Sequence, residues 1–143
     1  MGRIVVGKLS LRGIAQHVLF SDDHASATLR PEILREVFYA DCTEEDYQRA
    51  CSLLVPQATA PFITPLQLSD ANFGRIPRVY IECVHDRAIT LPAQRSMHQA
   101  MGCDRVFTLD SSHSPFLAKP GELVDCLLQS ASLRMSKHDT AAG

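Results

Sequence analysis

Two residues of complementary chemistry, Asp86 and His113, each follow a predicted strand closely. Asp86 comes just after residues 78–84, and His113 comes just after residues 104–109; β-branched and aromatic residues mark both segments as strands. An imidazole can take the proton of a nucleophilic hydroxyl, while a carboxylate fixes the imidazole tautomer and stabilises the imidazolium that forms. The spacing predicts the acid and base of a nucleophile–His–acid triad. It also allows the simpler alternative that Asp86 caps a turn and His113 is an ordinary loop residue.

The elements around this pair predict a parallel sheet. Helices are expected after Pro92 and after Pro120, so that residues 74–135 run strand, loop, helix, strand, loop, helix. This βαβα order is typical of parallel strands joined by a right-handed crossover. Because functional groups gather beyond the carboxyl ends of such strands, we expect Asp86 and His113 on one rim of the sheet.

Residues 19–73 have a different character and predict a helical segment with a crossover. Pro31 is suited to a first helical position, and Thr43 is a good N-cap for a second helix, with Asp46 at the capping-box position. Prolines 56, 61 and 65 then favour an extended connection. Residues 1–18 receive no assignment, although Ile4–Val6 could begin a strand. The polar tail 136–143 is expected to fray.

Two stretches of the second half have the sequences IPRVYIECVHDRAITLPAQRSMHQAM and FTLDSSHSPFLAKPGELVDCLL. They resemble the C-terminal part of the α/β-hydrolases of the plant methylesterase and hydroxynitrile-lyase branch, to which bacterial esterases also belong. The stretch LRPEILREVFYADCTEEDYQRACSLLVPQATAPF is similar to the helical cap of that family. The resemblance covers about residues 25–130. It implies an α/β fold, carboxylic-ester hydrolysis through an acyl-enzyme, Asp86 as the triad acid and His113 as the triad base. It implies no cofactor.

The chain departs from the family pattern at the nucleophile. It contains no Gly-x-Ser-x-Gly elbow and no His-Gly pair of the oxyanion loop; the nearest candidate is Ser10, whose flanking glycines are three residues away instead of two. The serines at 111, 112 and 114 flank the histidine and cannot serve it as nucleophile. Ser114 also stands where the lyases carry a lysine, which favours ester hydrolysis over cyanohydrin cleavage. We therefore predict a catalytically incomplete chain with no nucleophile of its own.

Composition excludes several other classes of protein. Apolar residues make up 45% of the 143 residues, charged residues 21%, and the net charge is −2, so the chain is globular and has no basic surface for nucleic acid. No apolar run approaches the length of a membrane span. Five widely spaced cysteines and six scattered histidines predict neither disulfides nor a metal site, and they favour a cytoplasmic protein.

Three hypotheses stay open from the sequence. The first is a hydrolase for a small-molecule ester, encoded in a longer parent chain. The second is a non-catalytic binding or interaction module, and the third is a truncated gene remnant. Exposed apolar surface would favour self-association of the chain alone. The residues that would line an acyl pocket, or equally belong to the core, are Phe38, Tyr39, Leu53, Leu54, Phe62 and Phe116.

Overall fold

The structure, a computed structural model, describes residues 14–139. The candidate strand at Ile4–Val6 and the serine at position 10 lie outside the described residues. The described chain has two parts. The first half of the sequence forms an antiparallel sheet with short helices, and the second half forms a parallel pair of strands that are followed by helices.

The first part contains a small antiparallel sheet that the sequence did not predict. Its strands are β1 (Val18–Phe20), β2 (Ser26–Leu29) and β3 (Gln57–Ala58), in the order β1-β2-β3. A short 3-10 helix (Ala15–His17) precedes β1. Strands of two to four residues are too short to show an alternating pattern, and β3 lies in the proline-rich segment that was expected to be a plain crossover.

The helices of the first part begin where the sequence predicted. Helix α1 (Pro31–Phe38) has proline in its first turn, and α2 (Glu44–Leu53) begins after Thr43, whose side chain accepts the Asp46 N–H at 3.1 Å. A one-turn helix α3 (Ala60–Ile63) was not predicted. Leu34, Tyr39 and Cys42 form the buried core of this part, so the turn between α1 and α2 is fixed by packing.

The second part confirms the predicted parallel βα arrangement. Strand β4 (Val79–Cys83) pairs in parallel with β5 (Arg105–Leu109), and the register places Cys83 opposite Leu109. Helix α4 (Leu91–Met101) connects the two strands and ends at Gly102, which has the left-handed φ of 60° that favours glycine.

Helices α5 (Pro115–Ala118) and α6 (Pro120–Asp139) follow β5. The sequence predicted α6 but not the one-turn α5, and α6 continues past residue 135, where the predicted tail was to begin. Cys83, Leu109 and Cys126 form a buried cluster that joins the two strands to α6. The strand ends are thereby held in one rigid layer.

Candidate active site

The parallel register brings Asp86 and His113 together at the carboxyl ends of the two strands. Because Cys83 and Leu109 are register partners at the strand ends, the loops that follow them start side by side. The His113 Nδ1 atom lies 3.0 Å from Asp86 Oδ2 and 3.1 Å from Oδ1. With Nδ1 facing a carboxylate, the neutral imidazole that satisfies both groups carries its proton on Nδ1, which leaves Nε2 unprotonated as a base.

The loop that carries Asp86 is held by backbone hydrogen bonds. The N–H groups of Ala88 and Ile89 donate to Asp86 Oδ1 at 2.8 and 2.9 Å. The side chain of Asp86 is almost fully buried, and a buried carboxylate is stable only when it is well hydrogen-bonded. Asp86 therefore both caps its turn and faces the histidine, so the two alternatives drawn from the sequence are compatible.

Gln94 of helix α4 is hydrogen-bonded to the last residue of β4 and to the loop after it. Its buried amide accepts the Cys83 N–H at 2.9 Å and donates to the carbonyls of Cys83 at 2.9 Å and Ile89 at 2.8 Å. One side chain thus joins the last strand residue to the loop that presents Asp86. No local pattern predicts this role, because Gln94 resembles any polar residue of an amphipathic helix.

Helix α1 supplies one wall of the site. The edge of the Phe38 ring meets the His113 ring at 4.8 Å between centroids and an interplanar angle of 85°. Of the other residues predicted to line an acyl pocket, Tyr39 belongs to the buried core of the first part. The remaining four are exposed, namely Leu53, Leu54, Phe62 and Phe116. The described residues therefore contribute Phe38 to the site, and the rest of the acyl pocket stays a prediction.

A second acid at this site, Asp41, was not singled out from the sequence. It lies in the turn between α1 and α2 and accepts hydrogen bonds from Ser111 Oγ at 3.0 Å, from the Ser112 N–H at 2.7 Å and from the Ser112 hydroxyl. Burial raises the pKa of Asp41, but the bonds from Ser112 and Ser111 outweigh it and bring the pKa below the ordinary value. The carboxylate form of Asp41 is therefore favoured at neutral pH.

A cleft of about 370 Å³ opens beside the pair. It lies between the turn that holds Asp41 and the loop after β4, and both Asp41 and Asp86 reach it. Its lining residues are Ala40, Asp41, Val84, His85, Asp86, Arg87 and Ser112.

The environments of Ser111, Ser112 and Cys83 each disfavour nucleophilic attack. Ser111 and Ser112 are buried and donate their hydroxyl hydrogens to Asp41. Burial, reinforced by the negative charge of Asp86, raises the pKa of the Cys83 thiol to about 11. A thiol with that pKa is almost wholly protonated at neutral pH and so is a poor nucleophile.

Two further histidines contact acids other than Asp86. His85 Nε2 lies 2.7 Å from Asp110 Oδ1 at an exposed position, and His98 Nε2 lies 3.5 Å from Glu82 Oε2, where both side chains are largely buried. Within residues 14–139 no group of three or more His, Cys, Asp or Glu side chains is arranged to hold a metal ion. No helix in the same range has both the length and the apolar character needed to cross a membrane.

The sequence was compared with protein families and with known proteins. No protein-family model matches the sequence. The chain is 36% identical to methylesterase 18 of Arabidopsis thaliana over 109 residues, which is 75% of this chain and 41% of that protein. It is 34% identical to the pyrethroid hydrolase of Sphingobium wenxiniae over 113 residues, which is 78% of this chain and 40% of that protein.

Solved structures agree with these relatives. A methylesterase from Arabidopsis aligns with a TM-score of 0.71 and 26% identity over 76% of this chain and 47% of its own. A pyrethroid hydrolase from Sphingobium faniae aligns with a TM-score of 0.71 and 27% identity over 85% of this chain and 49% of its own. The described fold is therefore a partial α/β-hydrolase fold.

The chain belongs to the α/β-hydrolase superfamily, in the branch of the plant methylesterases. It corresponds to the C-terminal part of those proteins and spans about two fifths of the length of the curated relatives it matches. The family and fold predicted from the sequence are thereby confirmed.

Proposed function

We propose that this chain carries the acid and base of a carboxylic-ester hydrolase, with His113 as general base and then general acid and Asp86 as its orienting carboxylate. The observation that supports this role most strongly is the hydrogen bond between His113 Nδ1 and Asp86 at the ends of paired parallel strands. Ester-hydrolysing relatives of the same fold support the reaction class.

The chemistry follows from the free Nε2 of His113. A serine hydroxyl would give its proton to Nε2 as its oxygen attacks the ester carbonyl, and the imidazolium would then return that proton to the departing alkoxide, which leaves as the alcohol. Water would repeat the two steps on the acyl-enzyme and release the acid. Throughout, Asp86 stays a carboxylate and stabilises the imidazolium through Nδ1–H.

The nucleophile and the oxyanion donors are proposed to come from sequence outside this chain. The chain has no Gly-x-Ser-x-Gly elbow, the hydroxyls of Ser111 and Ser112 are directed to Asp41, and the Cys83 thiol is protonated at neutral pH. Ser114 has no ammonium group to hold cyanide, which supports hydrolysis over cyanohydrin cleavage. The expected substrate is a small carboxylic ester, and the expected compartment is the cytoplasm. We do not expect the chain to bind nucleic acid.

The experiment joins this chain to the N-terminal segment of the Sphingobium pyrethroid hydrolase, up to the point where the similarity begins. We expect the isolated chain to show no hydrolysis of p-nitrophenyl acetate above background, and the hybrid to hydrolyse it. His113→Ala in the hybrid should reduce kcat/KM by at least about a hundredfold, because removing a triad member costs that much or more. Equal turnover in the hybrid and its His113→Ala variant would exclude the proposed role.

A second candidate, a non-catalytic interaction module, is favoured by one specific observation. Apolar side chains are exposed at the end of α2 and along the segment that follows it, namely Leu53, Leu54, Val55, Phe62, Ile63 and Leu66. Contiguous apolar surface of this kind favours association. Light scattering coupled to size exclusion should then show a dimer or larger species, and Phe62→Ser with Ile63→Ser should shift it toward the 15.8 kDa monomer.

A further inference from the structure

The turn between α1 and α2 is bonded to the loop that presents His113, although 70 residues separate them in the chain. Asp41 Oδ2 accepts both the Ser111 hydroxyl at 3.0 Å and the Ser112 N–H at 2.7 Å, and Oδ1 accepts the Ser112 hydroxyl. Three donors from two consecutive residues converge on one carboxylate. The residue directly after them is His113.

Burial makes these bonds important for the loop. Ser111 is 0% exposed and Ser112 is 2% exposed, so water cannot replace Asp41 as the acceptor for their hydroxyls. A buried hydroxyl that loses its acceptor destabilises the conformation that buries it. The Ser111 carbonyl also accepts the His85 N–H at 3.0 Å, so the loop is held from the strand side as well.

The same turn region touches the histidine at a second point. Phe38, at the end of α1, packs its ring edge against the His113 imidazole. Asp41 therefore holds the backbone of the loop that carries His113, and Phe38 contacts the imidazole ring. Both contacts come from the short segment 38–41.

We propose that Asp41 is a positioning residue for His113, which keeps the imidazole Nδ1 on Asp86 by fixing Ser111 and Ser112. This inference rests on the proposed function of the Asp86–His113 pair. Asp41 touches neither the reacting atoms nor the imidazole, and it acts through the two serines. It also couples the cap to the base: a shift of the α1–α2 turn would move the histidine loop with it.

The test uses the intact chain with ¹⁵N-labelled histidine and needs no turnover. Imidazole ¹⁵N chemical shifts report which nitrogen of His113 carries the proton. We expect the original chain to show the Nδ1–H tautomer. Asp41→Asn should show a mixture of tautomers and a Nδ1–H that exchanges with water about tenfold faster, the effect of losing a net hydrogen-bond contribution. The control is Asp110→Asn, which removes a carboxylate at the start of the same loop but leaves the serine bonds intact; it should preserve the His113 signals.

The outcomes separate the inference from the proposed function. If the original chain lacks the Nδ1–H tautomer at His113, the acid–base pair itself is wrong, and the inference with it. If the original chain has it and Asp41→Asn leaves both the tautomer and the exchange of Nδ1–H unchanged, Asp41 has only a structural role and the inference is wrong. Should Asp41→Asn unfold the chain, the Ser111→Ala/Ser112→Ala variant is scored by the same signals, since it keeps Asp41 and the Ser112 N–H bond; unchanged signals there would also overturn the inference.

Discussion

Two acid–histidine pairs lie at the ends of the same two strands, and only one has the burial and backbone support that the proposed catalytic role requires. In the first, Asp86 follows β4 and His113 follows β5; in the second, His85 follows β4 and Asp110 follows β5. The second pair has the shorter distance, 2.7 Å against 3.0 Å. Distance therefore does not distinguish the proposed catalytic pair from a surface contact.

Burial and backbone support do distinguish them. The side chains of His113 and Asp86 are 28% and 7% exposed, whereas those of His85 and Asp110 are 68% and 78% exposed. Asp86 also accepts two backbone N–H groups of its own loop. In a site screened from water a carboxylate holds an imidazole strongly, while an exposed ion pair contributes little.

The largest expected difference between the pairs is catalytic. In the hybrid enzyme, Asp86→Asn should reduce kcat/KM by at least about a hundredfold, because a neutral amide neither fixes the productive tautomer nor stabilises the imidazolium. The matched change Asp110→Asn should leave kcat/KM within about twofold, since an exposed pair is worth little. Steady-state hydrolysis of p-nitrophenyl acetate measures both. Similar losses in the two variants would remove the distinction drawn from burial.

The sequence was sufficient to predict that Asp86 and His113 lie together, but not to predict the residues that surround them. Asp86 and His113 follow strands whose β-branched residues are visible in the sequence, and the family resemblance points to the same two positions. The hydrogen bonds that Ser111 and Ser112 donate to Asp41 join residues 70 and 71 positions apart, so no local pattern reveals them.

The fold was predicted unevenly for a related physical reason. The parallel β4–α4–β5 unit was predicted because its strands have five residues each and its helix has proline at the start and glycine at the end. The β1–β2–β3 sheet was missed because its strands are shorter and depend on tertiary pairing, as between Ser26 and Ala58. Propensity gives little information about such short strands.

The next difference concerns stability. Asp86→Ala removes the acceptor of the Ala88 and Ile89 N–H groups and should lower the free energy of unfolding by roughly 1–3 kcal/mol. The matched Asp110→Ala change should alter it by about 0–1 kcal/mol, the range of exposed ion pairs. Urea unfolding of the two variants at neutral pH tests the comparison. A larger loss for Asp110→Ala would show that the exposed pair has a structural role of its own.

The smallest expected effect concerns a third acid, Glu82, and appears as a dependence on pH. Glu82 is buried on the sheet and bonds Arg95 and Thr108, and the Arg95 hydrogen bond is the main cause that lowers its pKa, against the opposing effect of burial. A lowered folded-state pKa stabilises the fold above the unfolded value of about 4.3, and this contribution is lost as pH falls through the folded-state pKa.

Glu82→Gln should therefore be less stable than the original chain at pH 7, and the gap in free energy of unfolding should narrow steadily below about pH 4.3. Glu36→Gln is the matched control, because Glu36 also pairs with an arginine, Arg87, but at an exposed position. Its effect should be small at every pH and should fall further in high salt, which screens exposed charges. Urea unfolding from pH 3 to pH 7 separates the two variants. A gap for Glu82→Gln that does not change with pH would mean that packing, rather than the buried charge, links Glu82 to Arg95.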